Sequence, residues 1–138
     1  MSDHEFAYLA GFFDADGCVS ISKRTDVGCK RGVSFRLALD VAQKTPQILQ
    51  TFKALWGGTV CKGRRCERWF AYSNNAAGCL SDLLPYLRLK KAEARVAVGF
   101  QHRKATRGNR GIRGLTEDEF NQERADYQLL RCLKQRRQ

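Results

Sequence analysis

Apolar and polar positions recur along this chain in two rhythms, and the switches between them mark out its elements. From about residue 4 to 14, Phe6, Leu9 and Phe13 fall at helical spacing on one face, with Ala7, Ala10, Gly11 and Asp14 on another. The second face is nearly bare of long side chains. A solvent-facing helix normally carries Lys or Glu there, whereas small residues let another helix approach closely, so this face is expected to meet a partner helix. Cys18 to Arg24 and Val33 to Val41 then alternate strictly on either side of a glycine-containing connection, the pattern of a β-hairpin with one apolar and one polar face. Val19, Ile21, Phe35, Leu37, Leu39 and Val41 are expected in the core; Ser20, Ser22, Arg24, Ser34, Arg36 and Asp40 point away from it.

Helical spacing returns at Thr45-Pro46, an N-cap and first helical residue. Ile48, Leu49, Phe52 and Leu55 continue the helix to its stop at Gly57-Gly58. Thr59 to Lys62 and Glu67 to Tyr72 read as two short strands around an arginine-rich turn. Leu80, Leu83, Leu84 and Leu87 predict a third helix over 74–87, despite Gly78 and Pro85, and a fourth is expected from Leu89 to about Ala105. Residues 107–114 read as a flexible basic linker. Thr116 and Glu119 form a capping box that opens a last helix over 116–134, with Phe120, Tyr127, Leu130 and Leu133 on one side. The whole is expected to be one α+β domain spanning 1–138, large enough to fold without disulfides.

Charge narrows the partner class. Twenty-five Lys and Arg against fourteen Asp and Glu leave +11, a surplus that reads first as a polyanion-binding surface. No apolar run approaches the roughly 18 residues needed to span a bilayer. Residues Met1 to Glu5 lack the basic flank and apolar core of a signal peptide. An intracellular location is expected, in a compartment the residues do not specify. The six cysteines show no Cys-x-x-Cys spacing and the two histidines are far apart, which argues against zinc. Cys61 and Cys66 flank the arginine-rich turn and would close it in an oxidising compartment; an unsecreted chain is expected to keep them reduced.

The first helix runs directly into Asp14, Ala15, Asp16 and Gly17. Carboxylates at a helix C-terminus oppose its dipole and disfavour the helix by up to about 1 kcal/mol each, so something should offset them. A divalent cation is the simplest candidate, because carboxylates and terminal carbonyls are hard oxygen ligands of the kind Mg²⁺ accepts. Leu9-Ala10-Gly11-Phe12-Phe13-Asp14-Ala15-Asp16-Gly17 also closely resembles the LAGLIDADG signature of homing endonucleases. The order helix, hairpin, helix, hairpin, helices is that family's order. There is one copy of the motif, and single-motif members are half-saddles that pair as homodimers.

The resemblance implies an αββαββα-type saddle. Its antiparallel sheet binds DNA, and its motif helix lies at a dimer interface made by Ala7, Ala10, Gly11 and Asp14. It also implies a site-specific endonuclease that cuts both strands of a long pseudo-palindromic site by metal-dependent hydrolysis. Asp16 corresponds to the essential aspartate and metal ligand, with the Ala15 carbonyl as a further ligand. Gln43 resembles the glutamine that positions water or metal. Lys90, in Leu87-Arg88-Leu89-Lys90, resembles the lysine that approaches the cleavage site. Mg²⁺ is the expected cofactor, with Mn²⁺ able to substitute and Ca²⁺ binding without turnover. Where the family often has an arginine this chain has Gln47, which leaves Arg36 or Lys44 as candidates to order the solvent.

The polar hairpin face suits a β-ribbon in the major groove, with Arg24 and Arg36 able to grip guanine and Ser20, Ser22, Ser34 and Asp40 making shorter contacts. Lys44, Lys62, Arg64, Arg65, Arg68 and Trp69, and also Glu67, are expected to extend that surface. Arg103, Lys104, Arg107, Arg110 and Arg113 are expected to neutralise phosphates. Two rival functions use the same scaffold: an RNA maturase, and a DNA-binding regulator without catalysis.

Overall fold

A computed structural model describes residues 2–28, 31–108 and 114–137. Helix α1 (Asp3–Asp16) begins at a capping box. The Glu5 amide donates to Ser2 Oγ at 3.3 Å, and the Ser2 amide donates back to Glu5 Oε2 at 2.9 Å. It passes without a loop into β1 (Gly17–Thr25), which pairs antiparallel with β2 (Val33–Gln43). Helix α2 (Pro46–Trp56) follows, then β3 (Thr59–Lys62) and β4 (Glu67–Tyr72), giving a four-stranded antiparallel sheet in the order β1-β2-β4-β3. Helices α3 (Ser73–Leu83), α4 (Lys91–Arg107) and α5 (Glu117–Arg137) complete the chain, with a 3-10 turn at Leu84–Tyr86.

All helices lie on one face of the sheet and the other face is open, as the strict alternation requires. Val19, Ile21, Phe35, Leu37, Leu39 and Val41 are all buried, joined by Leu49 and Phe52 of α2, Leu80 and Leu83 of α3, Phe100 of α4 and Leu130 of α5. Thr116 and Glu119 make the expected reciprocal cap. The third helix stops earlier than its leucines suggest. Pro85 cannot sit in a helix interior, so the chain tightens into the 3-10 turn, and the Leu87 amide still reaches the Leu83 carbonyl at 3.1 Å.

The faces of α1 differ from expectation. Leu9 and Phe13 are buried and Phe6 half-buried, but Ala10 and Asp14 are buried as well, inside their own subunit. The buried stripe is wide because α3 and the 3-10 turn both pack against this helix. Ala7 and Gly11 remain exposed, beside Tyr8 and Ala15, and a Cβ built on Gly11 meets nothing within 4 Å. The exposed small-residue surface of α1 is therefore Ala7, Gly11 and Ala15 with Tyr8 beside them, and Ala10 and Asp14 are withdrawn from it.

Candidate functional site

The helix-to-strand junction fixes Asp16. Gly17 is required there by space: a Cβ would lie 2.5 Å from the Phe13 ring. Gly17 pairs with Val41 in the β1-β2 register, which sets the end of α1 against the end of β2. Gln43 shares the helix-side face with Val41, two residues earlier, and its Nε2 donates to Asp16 Oδ2 at 3.0 Å. Gln43 Oε1 in turn accepts the Lys44 amide at 2.9 Å, so both ends of the amide are oriented. Asp16 is exposed, which leaves its carboxylate accessible to a ligand.

Asp14 has a different task. Its carboxylate accepts the Arg88 amide at 2.8 Å and the Lys90 amide at 3.0 Å. Lys90 is 2 % exposed, and its Nζ donates to the Asp14 carbonyl at 2.5 Å. The segment 88–90 is thus clamped onto the end of α1, which is why α4 begins at Lys91 rather than Leu89. The Lys90 ammonium supplies the positive charge that a helix C-terminus favours. It is buried at this helix end, not on the open surface.

Gln47 and Gln43 line one cleft of about 350 Å³ with Tyr8, Phe12, Thr45, Ile48 and Thr51, between α1 and α2. Gln47 therefore stands beside the Asp16 and Gln43 pair. Arg36 is on the outer sheet face and Lys44 is exposed at the end of β2.

Register settles which residues share the open face of the sheet. Ser20 pairs with Ala38, Ser22 with Arg36 and Arg24 with Ser34, while Asp40 pairs with Phe70 and Ala42 with Arg68. Arg68 donates to Asp40 Oδ2 at 3.0 Å, and the Arg36 guanidinium lies over the Tyr72 ring at 3.9 Å. Ser22 Oγ donates to the Arg36 carbonyl. Arg64 and Arg65 are exposed in the β3-β4 turn. Three expected contributors fall elsewhere. Trp69 is fully buried, packs on Phe52 with ring centroids 5.0 Å apart, and donates its Nε1 to the Gly57 carbonyl at 2.8 Å; it is core. Lys62 and Glu67 pair across β3 and β4 on the same helix-side face as Trp69, so both sit at the sheet's rim. Phe70 and Tyr72 are the outer-face aromatics that sequence reading missed, because with Trp69 and Ala71 they make a run that is apolar on both faces.

The basic residues of α4 are also engaged internally. Arg103 is paired with Asp126, Arg107 with Glu123 at 2.9 Å, and Lys104 donates to the Phe35 carbonyl. These contacts join α4 to α5 and to the sheet, so all three side chains carry a structural bond, with Arg103 still exposed. Burial holds the Lys104 ammonium below the usual lysine range. Arg110 and Arg113 lie outside the described residues, as does most of the expected basic linker. Cys18, Cys61, Cys66, Cys79 and Cys132 are free thiols, and burial pushes that of Cys79 well up.

The LAGLIDADG endonuclease family model matches residues 9–106, most of the chain, including Asp14, Asp16, Gln43 and Lys90. The chain belongs to the LAGLIDADG endonuclease family. Among its relatives is the DNA endonuclease I-CvuI of Chlorella vulgaris, 39% identical over 101 residues, which cover 68% of this chain and 62% of that protein. The crystal structure of I-CvuI with its target in the presence of Ca superposes with a TM-score of 0.79 at 26% identity, covering 94% of this chain and 82% of the other. The archaeal intron-encoded homing endonuclease I-Vdi141I, solved with DNA, gives 0.81 at 16% identity over 95% of this chain and 84% of its own, a likeness of fold.

Proposed function

We propose that this protein is a site-specific homing endonuclease that makes double-strand breaks in a long pseudo-palindromic DNA site by metal-dependent phosphodiester hydrolysis. The observation that carries the reading is the exposed Asp16 carboxylate at the end of the family's motif helix, oriented by Gln43. Among the described residues no three His, Cys, Asp or Glu side chains gather to hold a metal. Mg²⁺ does not require that, since it is held by one or two carboxylates with water and phosphate completing its shell. Asp16 fits that role with the neighbouring Ala15 carbonyl; Asp14 fits it less well, being buried with an amide on each oxygen. The ion would activate water for attack and neutralise phosphate charge. Mn²⁺ is expected to substitute and Ca²⁺ to bind without turnover. Gln43 holds the carboxylate in place, and Lys90, bonded to the Asp14 carbonyl two residues earlier, adds positive charge at the same helix end.

One Asp16 per subunit serves one strand. Cutting both strands calls for a second copy, and the exposed Ala7, Gly11 and Ala15 face of α1 is the surface on which it would sit. Two identical readers imply the pseudo-palindromic site, and genomic or organellar DNA is the proposed setting. The test is incubation with Mg²⁺ and a duplex library, using the parent protein and Asp16→Asn. The parent is expected to cut both strands at selected sites, and Asp16→Asn to bind the same sites without cutting. Tight binding by the parent with no scission of any duplex would favour the regulator instead. Tighter binding of intron RNA than of duplex DNA at equal salt would favour the maturase.

A further inference from the structure

We infer that Tyr72 is a positioning residue for base recognition, holding the Arg36 guanidinium flat and oriented so that the pair reads one guanine in each half-site. This rests on the endonuclease reading above. Arg36 and Tyr72 both lie on the open face of the sheet, on neighbouring strands. Tyr72 pairs with Ala38, and Arg36 is two residues further along β2, beyond the last residue of β4. The methyl group of Ala38 leaves room for the ring to turn over the guanidinium, whose carbon is 3.9 Å from the ring centroid.

The stack fixes the plane of an otherwise flexible side chain. A guanidinium lying on an aromatic face keeps its edge available while its rotamer is held, so less freedom is lost when the fork meets a base. Among the described residues no salt bridge engages Arg36, in contrast to Arg68, which Asp40 neutralises. Arg36 Nε is buried without a hydrogen-bond partner among those residues, so the donors left to meet a ligand are the terminal nitrogens. Two parallel N–H donors in a plane match the O6 and N7 acceptors that guanine presents in the major groove. Tyr72 itself is 41% exposed and needs no base contact in this arrangement.

The experiment is selection of bound sites from a randomised duplex library in Ca²⁺, followed by affinity measurements on single-base variants of the selected site. It uses the parent, Arg36→Ala, Arg36→Lys, Tyr72→Leu and Tyr72→Phe, each checked for an unchanged fold by circular dichroism. The parent is expected to require guanine at one position per half-site. Arg36→Ala and Arg36→Lys should relax that position by about tenfold, the scale of one bidentate contact. Tyr72→Leu should relax the same position by severalfold while leaving the others alone, and Tyr72→Phe, which keeps the ring, should restore the preference. A Tyr72→Leu protein that relaxes a different position, relaxes none, or loses affinity equally at every position overturns the proposal while the endonuclease reading stands. A parent protein that selects no sequence overturns both.

Discussion

Replacing Asp14 by alanine should destabilise the subunit severely, whereas the same change at Asp16, two residues on, should not. Asp14 is buried and its carboxylate accepts two backbone amides, from Arg88 at 2.8 Å and Lys90 at 3.0 Å. Hydrogen bonds to a charged acceptor contribute about 1.5–3 kcal/mol each, and losing the acceptor leaves both donors without it. The expected loss is therefore roughly 3–6 kcal/mol. At roughly 3 °C per kcal/mol for a chain of this size, the melting temperature should fall by roughly 9–18 °C. Asp16 is exposed, is bonded among the described residues only at one oxygen by Gln43, and sits at the unfavourable end of a helix dipole. Its alanine variant should stay within about 0.5 kcal/mol of the parent. Urea denaturation followed by circular dichroism, with thermal melts alongside, measures both. Equal stabilities for the two variants would refute the division of labour between the motif's two aspartates.

Gly11→Leu should leave the subunit folded, and even gain up to about 1 kcal/mol of helix propensity, because a Cβ there meets nothing within 4 Å; sedimentation should show weakened self-association. Trp69→Phe removes the donor to the Gly57 carbonyl and should cost roughly 1–3 kcal/mol in denaturant, while the base preferences of the selected site stay unchanged. Lys104 gives a pH dependence. Burial lowers its pKa below 10.5, so as pH rises through the folded value towards 10.5 the unfolded chain binds more protons than the folded one and the lysine's contribution to stability rises. The stability of the parent relative to Lys104→Met should therefore increase from neutral pH towards 10.5, and a falling difference would contradict the burial.

Local pattern alone determined most of the architecture. Strict alternation in β1 and β2 assigned all six core positions, since a period of two admits only one inward set once a single face is buried. Pro46, Gly57 and the Thr116 and Glu119 pair located helix ends by backbone chemistry that needs no distant partner. Resemblance to the family, rather than local pattern, singled out Asp16 and Gln43, which the fold brings to 3.0 Å of each other. Tertiary structure decided what no local rule contains. Ala10 and Asp14 looked like a bare outer face because a helical wheel does not say how wide a stripe the neighbours will cover; α3 and the clamped segment 88–90 cover it. Trp69 went to the core and Phe70 and Tyr72 to the open face because the register between β2 and β4 sets the parity of a strand too short to announce it. Arg103, Lys104 and Arg107 carry the composition of a phosphate surface, yet Asp126 and Glu123 of α5 and the Phe35 carbonyl of β2 arrive to engage them. Charge is a property of the chain, but its availability depends on which side chains arrive from elsewhere to meet it.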